Sequence, residues 1–178
     1  HHGAHHLGDL DSPEAIGRRA AERAVARLNP VKLATGTMPV LFDPRVSSGL
    51  IGHLLGAIGG SAIARRTSFL LDALGTEVFA SGIRIVDTPR RLRGSRSKPF
   101  DGEGLPTSDR ALIDDGVLTG WLLDSASARQ LGLTPTGHAS RGVGGPPGAG
   151  ATNVHLEPGA TSRAAMIAYV KRGFLVVA

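Results

Sequence analysis

A hydrolytic metal site needs two or three histidines or carboxylates converging on one ion, and on a helix this demands close spacing. The stretch Gly52-His53-Leu54-Leu55-Gly56-Ala57-Ile58 offers one histidine among apolar residues and glycines, with no carboxylate before Asp72. His53 therefore reads as a packing or capping histidine rather than a ligand. A second cluster, His1, His2, His5 and His6, could take a metal opportunistically if helical, since pairs four apart would share a face; a disordered or tag-like end explains it more simply. Asp101-Gly102-Glu103-Gly104 places two carboxylates one residue apart between glycines. Such a pair can coordinate a hard cation, form a substrate or partner loop, or hold an Asx-turn with nearby basic residues. Gly142 to Gly150 fits no phosphate-binding fingerprint, and Ser125 and Ser127 lack the context of a nucleophile elbow.

The elements that must position these residues are legible in outline. Asp11 or Ser12 can cap a helix that starts at Pro13 with Glu14 in its first turn. Its apolar stripe is Ile16, Ala20, Ala24 and Leu28, and Asn29-Pro30 ends it. Met38 to Phe42 reads as a short buried strand, Asp43-Pro44 as a turn, and Arg45 to Ile58 as a second helix. Gly59-Gly60-Ser61 breaks that helix, with a further helical stretch to Arg66. Ile83-Arg84-Ile85-Val86 alternates as a half-buried strand does. Asp115-Gly116 between two apolar runs, Ala111–Asp114 and Val117–Leu122, predicts a tight hairpin. Asp124 or Ser125 caps a short helix through Leu131 that stops at Gly132. Asn153 to Glu157 reads as a strand, Thr161 or Ser162 caps a last helix to about Lys171, and an apolar strand follows. Thr88–Thr107 and Thr134–Thr152 have no periodicity and read as two long Gly/Pro-rich loops, which in compact domains are usually functional or disordered. Antiparallel strands and helices are segregated, so the expected class is α+β: antiparallel β-sheets with several helices packed on them.

Composition narrows the functional classes. The 178 residues suit one domain, or a domain plus a fragment, and 41% apolar content suffices for a core. Cysteine is absent, which excludes disulfides, thiolate zinc sites and a cysteine nucleophile. No apolar run of about 18 residues is present, so no membrane span is expected; with no signal peptide visible, a cytoplasmic location is the default expectation. The net charge of +5 gathers partly in Arg90–Lys98. Without interleaved aromatics or a known module, this charge reads as solvated surface more readily than as a nucleic-acid site. The chain opens on His-His-Gly and closes on Gly173-Phe174-Leu175-Val176-Val177-Ala178, an apparent strand stopped in mid-course, so a piece of a longer protein is expected.

An ordered series of segments resembles the TldD/PmbA family, once called modulators of DNA gyrase. It comprises Met38–Phe42, the Gly49–Ser61 helix, Thr67-Ser68-Phe69-Leu70, Ile85-Val86-Asp87, Pro99-Phe100-Asp101-Gly102-Glu103-Gly104 and Gly116-Val117-Leu118. Ala128–Gly132, Thr136-Gly137-His138-Ala139 and Asn153-Val154-His155-Leu156 complete it. The resemblance implies residues 1–37 as an N-terminal segment and linking helix, and 38–178 as part of a C-terminal-type domain. It also implies a heteromeric metalloprotease, pairing a TldD-like with a PmbA-like (TldE-like) subunit, that trims or degrades small or unfolded peptides. In the TldD-like partner, the helix matching the region of His53 carries His-Glu-x-x-x-His, which binds zinc and supplies the general base. Here Leu54 follows His53 and Ile58 stands in place of the second histidine, which marks the PmbA side.

Three readings follow. In the first, the chain is a noncatalytic subunit, binds no cofactor itself, contacts a zinc-bearing TldD-like subunit in an oligomer, and presents an extended peptide through edge strands and the loops around Asp101, Glu103, Thr136 and His138. In the second, the basic Arg90–Lys98 stretch binds nucleic acid or a topoisomerase. In the third, His53, His138, His155 and the Asp101/Glu103 pair converge into an atypical metallopeptidase site; their spacing gives this no support.

Overall fold

The computed structural model describes residues 3–170 and 172–177 and divides into two units, His1–Met38 and Pro39–Ala178. The expectations for His1 and His2, for a helix reaching Lys171 and for a strand reaching Ala178 fall on residues outside this range. In the first unit a 3₁₀ turn, Leu7–Asp9, precedes α1, Pro13–Val25. Ser12 caps α1, its hydroxyl accepting from Ala15 N at 3.2 Å. Asn29, in the left-handed region at φ 53°, lies just past the helix, as Asn29-Pro30 predicts. No residue of α1 is buried.

In the second unit, β1 is Val40–Phe42, α2 Pro44–Ala57, α3 Gly60–Ala64 and β2 Ile85–Asp87. Next come β3 Arg110–Asp114, β4 Val117–Leu118, α4 Ser125–Leu131, β5 Ala139–Ser140 and β6 Gly148–Ala149. β7 Val154–Leu156, α5 Arg163–Tyr169 and β8 Phe174–Val176 complete the unit. An antiparallel sheet in the order β4-β3-β2-β7 is the scaffold. Leu54, Ala57 and Ile58 from the end of α2, Ile63 from α3 and Ala128 from α4 form one core with Ile85, Leu112, Ile113 and Leu118 of the sheet. Trp121, Leu122 and Leu123 close this core. Helices α3 and α4 approach so tightly that a Cβ on Gly60 would lie 2.2 Å from Ser127 Oγ. Backbone bonds from Leu122 N to Ile58 O (3.0 Å) and from Gly60 N to Leu122 O (2.8 Å) lock the end of α2 to the segment before α4.

The hairpin forms as Asp115-Gly116 predicts, with φ of 47° and 82° at the two turn residues, the positive pair that matches the twist of the strands. The segment 78–83 wraps this turn: Val78 N and Phe79 N donate to Gly116 O, and Gly116 N donates to Ile83 O. A Cβ at Gly116 would stand 2.4 Å from Phe79 O. Gly116→Ala is therefore expected to cost about 2 kcal/mol from backbone strain and displacement, read as a lowered urea midpoint.

Four details differ from the sequence reading. β1 is not buried: Val40 and Phe42 are 42% and 44% exposed, because β1 pairs only with β8 among the described residues. That pairing is parallel, against the antiparallel expectation, and the apolar end strand β8 is correspondingly only half-buried. β2 is buried along its whole length rather than on one face, because it lies between β3 and β7. The second long loop carries the β5–β6 hairpin, too short for its pattern to show.

Candidate functional site

The first long loop folds onto its own carboxylate. Asp101 is 4% exposed, and its Oδ1 accepts from Glu103 N and Leu105 N, both at 2.9 Å. The i to i+2 bond is an Asx-turn. Asp101 Oδ2 reaches across to the second loop and accepts from Ala139 N at 3.0 Å. Ala139 O in turn accepts from Gly102 N (2.8 Å) and from Lys98 Nζ (3.0 Å). Glu103 is exposed, and its Oε2 accepts from Ser125 N (2.9 Å) and Ser125 Oγ (2.6 Å), which places a carboxylate on the first turn of α4. Asp124 caps the same helix by accepting from Ser127 N at 3.1 Å.

The second loop is tied to the central strand by a buried polar chain. Leu123 N donates to Thr136 Oγ1 at 2.8 Å, and Thr136 Oγ1 lies 2.8 Å from His138 Nδ1. His138 is 3% exposed, and its Nε2 lies 3.5 Å from Oδ2 of Asp87, which is fully buried at the end of β2. A proton on Nε2, facing the carboxylate, leaves Nδ1 to accept the Thr136 hydroxyl proton. Asp87 also accepts from Thr152 N at 2.8 Å and from the Thr152 hydroxyl. Hydroxyl, imidazole and carboxylate follow one another as they do in an activated nucleophile. Here, however, the imidazole and carboxylate are sealed in the interior, and the Thr136 oxygen already accepts a backbone N–H. This arrangement holds a loop in place.

Burial pushes the Asp87 carboxyl up, but the facing His138 imidazole and the hydroxyl and N–H of Thr152 outweigh it and hold the group below the usual carboxylate range. Burial likewise pushes Asp101 up, and the N–H groups of Ala139, Glu103 and Leu105, with the Lys98 ammonium, bring it below that range. A depressed folded pKa means the unfolded chain binds protons first on acidification. The stability these groups contribute is present above the unfolded value near 4 and is lost as pH falls through the folded values. The melting temperature is therefore expected to fall steadily as pH drops below about 4; an unchanged melting temperature across that window would exclude a stabilising role for both carboxylates.

Four of the sequence candidates, Asp101, Glu103, Thr136 and His138, thus lie on two loops that are clasped to each other and to the start of α4. His53 stands apart, exposed on α2 and without a side-chain hydrogen bond among the described residues, so it neither packs nor caps as expected. Its neighbours do not fit a metal: Leu54 is 6% exposed and Ile58 is fully buried, both in the core. Both ring nitrogens of His138 are engaged. His155, on β7, has a buried Nδ1 without a partner. Among the described residues no group of three or more His, Cys, Asp or Glu is placed to hold a metal ion. The third reading, with these residues converging on a metal, therefore finds no ligand set.

Sequence reasoning missed Asp87, Thr152 and Asn153 as organisers. Asn153 structures the basic loop: its Oδ1 accepts from Arg96 N at 3.0 Å, and its Nδ2 donates to Thr88 O (3.0 Å) and Ser97 Oγ (2.8 Å). The only sequence signal was a polar residue at each end of an apolar strand.

Comparison with known proteins places this geometry. The family model described as "PmbA/TldA metallopeptidase C-terminal domain" matches residues 35–178. The chain is 48% identical over 133 residues to "Metalloprotease PmbA" of Escherichia coli O157:H7, covering 75% of this chain. It is 43% identical over 130 residues to "Metalloprotease PmbA homolog" of Haemophilus influenzae, covering 73% of this chain. The chain spans 30% and 29% of the length of these two relatives. Among solved structures, TldE from Thermococcus kodakarensis superposes with a TM-score of 0.80 at 28% identity, over 92% of this chain and 38% of that one. A protein described as a modulator of a DNA gyrase, from Thermotoga maritima, gives a TM-score of 0.86 at 32% identity, over 97% of this chain and 39% of that one.

Proposed function

The chain belongs to the PmbA/TldA metallopeptidase C-terminal domain family, and from that premise we propose that it is part of a noncatalytic, PmbA/TldE-like subunit of a heteromeric metalloprotease acting on small or unfolded peptides. The observation that carries this reading is the burial of Leu54 and Ile58. Where the family resemblance implies a glutamate base and a second zinc-binding histidine in a TldD-like subunit, this chain has two core residues. Neither position can be turned toward a metal without opening the core. Zinc and the general base then belong to the partner, and this chain supplies wall and loops around the peptide. The clasped loops suit that role, because a rigid rim positions an extended chain without first having to be ordered. No helix among the described residues is long and apolar enough to cross a membrane, and we place the assembly in the cytoplasm.

The test is co-purification with a TldD-like subunit, combined with metal analysis and peptide cleavage. The expected result is association at micromolar concentration, with zinc and cleavage only when the partner is present, and no change in either in His53→Ala. Stoichiometric zinc on this chain alone, or failure to associate, would overturn the reading.

A further inference from the structure

A groove of ≈ 510 Å³ runs beside the upstream extension of β3 and is lined by Arg90, Pro106, Thr107, Ser108 and Asp109. Its size lies in the range of pockets that take small ligands or the end of a peptide, and is too small for a folded partner. Its floor is fixed. Thr107 is buried, its hydroxyl donating to Lys98 O at 2.7 Å and its N–H to Pro99 O at 3.1 Å. Behind Arg90, the buried Pro89 accepts from Lys98 N at 2.8 Å, so the arginine is carried on a pinned backbone. The lining side chains are uncommitted by contrast. Arg90, Ser108 and Asp109 are exposed and make no side-chain hydrogen bond or ion pair among the described residues.

We propose that this groove binds the carboxylate end of a short zwitterionic peptide, with Arg90 holding the carboxylate and Asp109 facing the peptide's cationic group. The inference rests on the peptide-handling reading above and gives it a site. A guanidinium presents two parallel N–H donors that match a carboxylate. An aspartate in the same groove opposes a second anion and attracts an ammonium or guanidinium. Ser108 supplies a donor and an acceptor to the peptide main chain between them. The same lining argues against single-stranded nucleic acid, which needs a groove of one charge and aromatic platforms; here one carboxylate intervenes and no aromatic side chain lines the cavity.

Isothermal titration of this chain with tetra-alanine, its C-terminal amide and its N-acetyl form tests the proposal. The free peptide is expected to bind, with amidation or Arg90→Gln weakening it about tenfold. Asp109→Asn is expected to remove the preference for a free over an acetylated N-terminus. Both substituted residues are exposed and make no side-chain hydrogen bond or ion pair among the described residues, so melting temperatures should match the parent and a loss of binding can be read directly. Equal binding of acid and amide, indifference to Arg90→Gln, or no binding at millimolar peptide would overturn the proposal. So would a thymidine oligonucleotide that binds in preference to the peptide and loses affinity steeply with salt. Association with the TldD-like subunit is measured separately with the same Arg90→Gln variant. Intact association without peptide binding therefore sinks the groove alone, and lost association in the parent chain sinks the subunit reading.

Discussion

Asp87→Ala is expected to lower unfolding stability by about 4 kcal/mol. Asp87 is fully buried, and removing its carboxylate leaves the Thr152 N–H, the Thr152 hydroxyl and the His138 Nε2 without their acceptor. Each stranded buried donor costs about 1–3 kcal/mol. The neighbouring substitutions should rank below it. Thr152→Val removes one hydroxyl and keeps the backbone bond, at about 1 kcal/mol. His138→Gln leaves Asp87 with both Thr152 donors and falls in between. A double-mutant cycle between positions 87 and 138 should give a coupling above about 0.5 kcal/mol, as for residues in one network. Urea unfolding of the four proteins measures this. A loss below about 1 kcal/mol for Asp87→Ala would mean the chain from Thr136 to Thr152 is not a stabilising network.

Where the signal was local, the sequence was sufficient. Ser12, Asp124 and Ser162 cap the helices that their positions predict, because a cap is a bond between residues two or three apart. The Asp115-Gly116 turn is just as local. Asp101 was visible as a loop carboxylate among glycines, and its Asx-turn lies within the loop itself. Its Oδ2 bond to Ala139, however, spans 38 residues, and no periodicity encodes such a distance. The same limit hid Asp87–Thr152 and Asn153–Thr88, each 65 residues apart. Asp87 looked like the polar end of a strand because its partner depends on which loop the fold lays across it. The groove at Arg90 was hidden for the opposite reason. In the sequence Arg90 is one of several basic residues between 90 and 98, and only the fold brings it into one groove with Asp109. β1 was misread as buried because apolar content reports the tendency to be covered, while exposure depends on which neighbours are present.

Asp101→Ala is expected to cost about 3 kcal/mol and to uncouple the two long loops. The carboxylate accepts three backbone N–H bonds, from Glu103, Leu105 and Ala139, and charge-assisted bonds of this kind are stronger than neutral ones. The cost should stay below that of Asp87→Ala because Gly102 and Glu103 are exposed, so water can reach part of the vacated turn. Asparagine is not a neutral replacement. Its oxygen can keep Glu103 and Leu105, but its NH₂ group then meets the Ala139 N–H, donor against donor. Asp101→Asn should therefore lose about half as much as alanine and should flatten the acid limb of the stability curve, since the depressed carboxyl is gone. Hydrogen exchange gives the local readout. The amides of Glu103, Leu105 and Ala139 should lose protection in both variants, while Gly102, whose N–H bonds Ala139 O, should lose less. If Ala139 stays protected in Asp101→Ala, the bond from Gly102 and the Lys98 ammonium suffices to hold the loops together. The rim of the proposed peptide groove would then be rigid without this carboxylate.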